Sequence, residues 1–190
     1  MNYKDLFKRA ILLISSPAKA WEEISLEEDK RKVLTAFVYP MIGLCGLAYF
    51  IGSLLNNEIN NVAFQKALTV CCAALVSLFG GYFLSAYIIN RVGAEKYGLP
   101  NDLAFAQQFA GYALVVTFLL NIVTGLISSF FILRWIFQFY IVYIVWEGAR
   151  VLLHIDERKQ MSFTVVTSLI LILCPAVLEF IFNRLIVILN

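Results

Sequence analysis

Five long apolar stretches recur along the chain: Val33 to Leu55, Ala67 to Ile89, Leu103 to Ile127, Phe131 to Leu153 and Phe163 to Ile186. Each reaches the roughly 20 residues that a helix needs to cross a hydrocarbon core about 30 Å thick. Short polar punctuation separates them: Asn56 to Asn61, Asn90 to Asp102 with Gly98 and Pro100, the pair Ser128 and Ser129, and His154 to Ser162. No loop is long enough to hold a domain. The pattern predicts an all-α polytopic integral membrane protein, with residues 33–190 forming a bundle of five transmembrane helices behind an N-terminal segment, residues 1–32.

That segment carries a different periodicity. Tyr3, Phe7, Ala10, Ile11 and Ile14 recur at helical spacing, with Lys4, Asp5, Lys8 and Arg9 on the other side. This predicts an amphipathic helix lying in the membrane interface, too polar to span it. Ser16 followed by Pro17 reads as a cap and a first helical position, opening a short helix with Trp21 and Ile24 on one face. Ser25 and Glu28 have the spacing of a capping box leading towards the first span. Met1 to Ile14 lacks the continuous apolar core of a cleavable signal, so the first span is expected to direct insertion.

Composition supports lipid as the main solvent. The chain is 61% hydrophobic and 15% charged, whereas soluble domains run at about 45 to 50% apolar and about 25% charged. A net charge of +2 does not point to nucleic acid; the distribution of charge is more informative. Of the Lys and Arg residues, seven precede the first span, two lie in the second loop and three around the fourth, against one each in the first loop, the third turn and the C-terminal end. Because basic flanks stay in the cytoplasm, this places the N-terminus inside and the C-terminus outside. Cys45, Cys71, Cys72 and Cys174 sit within apolar runs and read as small apolar fillers, with neither disulfide nor metal spacing. No cofactor motif is present.

Charged residues inside spans are the sharpest functional signal, since one at the bilayer centre costs about 2.5 to 3.5 kcal/mol even on insertion scales. Arg134, Glu147, Arg150 and Glu179 qualify. Arg134 and Glu179 lie in the outer halves of successive spans at heights differing by roughly 5 Å, which predicts a pair, with Pro175 bending the last span before the carboxylate. Glu147 and Arg150, three residues apart, predict a local pair at the inner boundary, with snorkelling as the simpler alternative for each arginine. In the second span Ala73, Ser77, Gly81 and Ser85 form a small-residue stripe for close helix packing, within the monomer or at a dimer interface. His154, beside Asp156 and Glu157, reads as a solvated loop residue. Motifs for hydrolases, nucleotide sites and metalloenzymes are absent, so no catalytic residue is nominated and an enzyme acting on lipid ranks last.

Three segments carry a resemblance to a known family. Ser16-Pro17-Ala18-Lys19-Ala20-Trp21-Glu22-Glu23-Ile24 looks like a Pro-x-x-Ala-Trp-x-x-Ile entry. Gly111-Tyr112-Ala113-Leu114 lies in the third span, and Gly148 to Pro175 has a Gly ending one span, a short basic loop and a Pro in the last span. Together they resemble the Yip family, five-span membrane proteins named for interaction with Ypt and Rab GTPases. Val116 stands where many eukaryotic members have proline, and neither the Asp-Leu-Tyr-Gly-Pro stretch nor the long cytoplasmic extension has a counterpart. The resemblance is therefore to the bacterial type, in a cytoplasmic membrane. It implies a non-enzymatic protein that interacts with membrane proteins or lipids. Lys4, Lys8, Arg9, Lys30, Arg31 and Lys32 would then meet anionic headgroups, at about 1 kcal/mol each. The rival reading is a small transporter, channel or lipid-moving protein with a polar path through Glu147, Glu179, Gln107, Gln108 and Gln138.

Overall fold

The computed structural model describes residues 3–55 and 61–189, and among them every regular element is helical. Helix α1 (Tyr3–Ser15) and α2 (Pro17–Ser25) precede a π-helical turn (Leu34–Val38) that runs into α3 (Tyr39–Leu55). Helix α4 (Asn61–Val92) is prolonged by a second π-helical turn (Gly93–Tyr97), closed by Gly98 in the left-handed conformation, φ 73°. Then follow α5 (Leu103–Ala113), α6 (Val115–Leu126), a 3-10 turn (Ser128–Phe130), α7 (Phe131–Gln138), α8 (Tyr140–Val151) and α9 (Glu157–Leu189).

Three helices are long and apolar enough to cross a membrane alone: Leu34–Leu55, Asn61–Tyr97 and Glu157–Leu185. The expected third span is a bent pair, α5 and α6, meeting at 44°. Its break falls at Leu114, whose ψ of 3° departs from the helix. The expected fourth span is likewise two helices, α7 and α8, joined at Phe139. Hydropathy alone carries no signal for such breaks, since the run of apolar residues continues through both. The first polar gap falls largely on residues 56–60, outside the described residues.

One expectation for the N-terminal segment needs correction. Ser25 ends α2 and its Oγ donates to the Glu22 carbonyl at 2.7 Å, so Ser25 and Glu28 do not form a capping box. In α1 the face turned to the protein is Leu6, Ala10 and Leu13, whereas Tyr3, Phe7 and Ile11 remain exposed. The helix thus has two apolar sides. Of the expected stripe Tyr3, Phe7 and Ile11 face outward, while Ala10 turns inward with Leu6 and Leu13 to fit the bundle.

Leu6, Leu13, Trp21 and Ile24 belong to the same core as Met41, Tyr82, Phe109 and Ile144, so α1 and α2 pack as part of the bundle. Helix α3 crosses α6 where a Cβ on Gly52 would fall on the Gly125 carbonyl oxygen. Only paired glycines permit that approach, the device by which membrane helices pack without a hydrophobic driving force. At the start of α5, Asp102 caps the helix by accepting from the Ala104 and Phe105 amides at 2.9 and 3.3 Å and pairs with Lys30 at 3.2 Å. Burial by itself would raise this carboxyl, but Lys30 and the two amides outweigh it and hold the group below its ordinary value. The stabilisation is complete above the ordinary carboxylate range and is lost as the pH falls.

Candidate functional site

Two polar or aromatic constellations stand out, one around Trp21 and one around Arg134. At the first, Pro17 occupies the opening turn of α2 and directs Ala20, Trp21 and Ile24 onto one buried face. The Trp21 indole donates to the Ile144 carbonyl at 2.9 Å, stacks on Phe109 with centroids 5.2 Å apart, and meets Tyr112 edge-on. Gly148 completes the socket: a Cβ there would lie 2.7 Å from the Trp21 ring and 2.8 Å from Phe109. Gly111 similarly admits Val38, 2.7 Å from its would-be Cβ. The Trp21 stretch that carries the family resemblance therefore contacts both of the others, its indole meeting Tyr112 and filling the space left by Gly148.

Beside the socket is a network that sequence reasoning missed. Glu27 accepts from Gln108 at 3.1 Å, from the Tyr112 hydroxyl at 3.1 Å and from Arg9 at 3.1 Å, while Arg9 also reaches Glu23 at 3.2 Å. It ties α1 and the segment after α2 to α5. The available signal was Gln108 and Tyr112, four residues apart on one face of an apolar helix and in need of a partner. Arg9 and Lys30, both expected to face headgroups, are instead held by Glu23 and Glu27 and by Asp102. Lys4, Lys8, Arg31 and Lys32 are exposed.

At the second constellation Arg134 and Glu179 meet in a two-pronged contact, 2.7 and 3.3 Å, with side-chain exposures of 15% and 34%. Arg134 lies one turn from Gln138, which donates to Thr117 at 2.7 Å. Asn121 donates to the Thr117 carbonyl and accepts from Tyr49, extending the polar belt to α3. A crevice of about 340 Å³ opens between α7 and α9, lined by Thr117, Arg134, Gln138, Glu179 and Asn183 and by Trp135, Ile172, Pro175, Ala176 and Phe180. Pro175 lies within one unbroken helix.

The remaining candidates sit elsewhere. Glu147 is buried and pairs with the exposed Arg150 at 2.6 Å, sharing no partner with Arg134 or Glu179. Ser77, Gly81 and Ser85 are buried: a Cβ on Gly81 would lie 2.6 Å from Pro175, and Ser85 donates to the Ile170 carbonyl at 3.4 Å. That part of the stripe packs within the monomer against α9, while half-buried Ala73 borders an outer apolar groove with Cys72, Val76 and Phe182. His154 is exposed and left-handed, φ 49°.

Long apolar helices, two bent or divided ones and charged pairs held among them define a multi-pass membrane protein. The chain matches the Yip1 domain over residues 11–178 and belongs to that family. No curated protein and no solved structure matches it.

Proposed function

We propose that this chain is a non-enzymatic membrane protein of the bacterial Yip type. It crosses a cytoplasmic membrane five times, N-terminus inside and C-terminus outside, and acts through contacts with anionic lipids and neighbouring membrane proteins. Helices α7 and α8 supply the fourth crossing: together they have about the 30 Å reach needed at about 1.5 Å per residue. The observation that carries the functional reading is the double-faced α1, with Leu6, Ala10 and Leu13 in the protein and Tyr3, Phe7 and Ile11 exposed beside Lys4 and Lys8. An apolar strip flanked by lysines, fixed to a membrane bundle, is suited to the headgroup boundary. The transport reading requires its polar residues to converge. Gln138 and Glu179 do line one crevice with Arg134, but Glu147 is engaged by Arg150 and Gln108 by Glu27 apart from it, which supports interaction over a continuous path.

Lipid co-purification tests this. In a mixed bilayer of anionic and neutral lipid, the wild-type protein is expected to retain anionic lipid in excess of the bulk. Lys4→Glu with Lys8→Glu should remove that excess, each lost positive charge near the surface weakening retention about fivefold, or about 1 kcal/mol. Equal anionic retention by the wild-type and the double variant contradicts the reading.

A further inference from the structure

The crevice between α7 and α9 holds a cation and a carboxylate side by side where a dry bundle would bury both. Arg134 and Glu179 neutralise each other, yet Glu179 stays about one-third exposed, so its remaining acceptor sites face whatever fills the crevice. In hydrocarbon that occupant must itself be polar, because leaving ionised groups against lipid tails is costly. An anion alone would meet Arg134 but be repelled by Glu179, and a cation alone would suffer the reverse. A zwitterion satisfies both. The walls set the rest of the chemistry: Ile172, Pro175 and Ala176 offer apolar surface beside the charges, and exposed Trp135 and Phe180 flank the opening. At about 340 Å³ the space falls within the range of about 300 to 1,000 Å³ usual for small-molecule sites.

We propose that this crevice binds one phospholipid whose headgroup carries both a phosphate and a primary ammonium, the phosphate at Arg134 and the ammonium at Glu179, with an acyl chain along Ile172 to Ala176. A primary ammonium has three N–H donors for the carboxylate, which a quaternary ammonium lacks. The site goes beyond the headgroup contact proposed for α1 and uses none of its residues.

Native mass spectrometry of the full chain in mild detergent, titrated with short-chain phosphatidylethanolamine, phosphatidylcholine or phosphatidylglycerol, tests it. The wild-type protein is expected to bind one phosphatidylethanolamine with about tenfold preference over the other two, equivalent to about 1.4 kcal/mol. Glu179→Gln should abolish the preference. Ala176→Phe, which fills the crevice without touching either charge, should abolish binding and decides the matter if Glu179→Gln does not fold. Lys4→Glu with Lys8→Glu should leave it intact, separating this site from the anionic contact at α1. Phosphatidylglycerol binding as well as or better than phosphatidylethanolamine, undiminished binding by Ala176→Phe, or no saturable binding by the wild-type protein overturns the proposal.

Discussion

Trp21→Ala is expected to release α1 and α2 from the bundle while leaving the membrane-crossing helices in place. The indole is fully buried, stacks on Phe109 and donates to the Ile144 carbonyl. Its removal leaves a large cavity and forfeits the indole N–H bond, for a cost of about 3 to 5 kcal/mol. The core packing of Leu6, Leu13 and Ile24, the Arg9–Glu27 pair and the Tyr140 hydroxyl, which donates to the Ile14 carbonyl at 2.7 Å, would hold the segment more weakly without it. Limited proteolysis of the purified protein reads this directly: cleavage between residues 15 and 32 should accelerate strongly in Trp21→Ala. Gly148→Val should reproduce the effect from the other side, since its side chain would occupy the ring's place. Trp21→Phe, which keeps most of the apolar area but loses the N–H, should fall between.

Gly52→Ala is the second large effect and lies at the other crossing. The added methyl group would coincide with the Gly125 carbonyl oxygen, a backbone atom that has no rotamer to relieve the clash. Overpacking ordinarily costs about 1 to 3 kcal/mol, and with backbone on the receiving side the expected cost is at or above the upper end. Separation of α3 from α6 would also draw Tyr49 from Asn121, now 2.9 Å apart. A lowered midpoint of thermal aggregation in detergent, larger than for Gly43→Ala, checks it; a Cβ on Gly43 has nothing within 4 Å.

Much of this architecture was visible in the chain because lipid imposes length and apolarity on each crossing helix. The first span ending at Leu55 and the last span from Phe163 were readable on those grounds, although α9 already begins at Glu157, within the expected loop. The short Pro17 helix and its Trp21 face were readable from the Ser16-Pro17 cap and the spacing. The breaks at Leu114 and Phe139 were not: neither carries a proline or glycine, and both depend on what the flanking helices pack against. The face by which α1 packs on the bundle was not readable for a related reason. Leu6 and Leu13 adjoin the exposed Phe7 and Ile11 stripe, and periodicity does not show that a second apolar face is buried beside the first. The proximity of Arg134 and Glu179 followed from their depths, because an unpaired charge in lipid is expensive. Glu27 escaped notice since a carboxylate in a charged linker has no such constraint; its partners come from α1 and α5, far away in sequence.

Placement of the second apolar face of α1 among headgroups, with the helix held by the bundle, is tested by a polarity-sensitive fluorophore at Ile11→Cys. The label is placed in an otherwise cysteine-free protein in vesicles, with spin-labelled headgroups as quencher. Blue-shifted, headgroup-quenched emission is expected, stronger in anionic vesicles and weakening as added salt shortens the screening length. Water-like, unquenched emission in both anionic and neutral vesicles would contradict it.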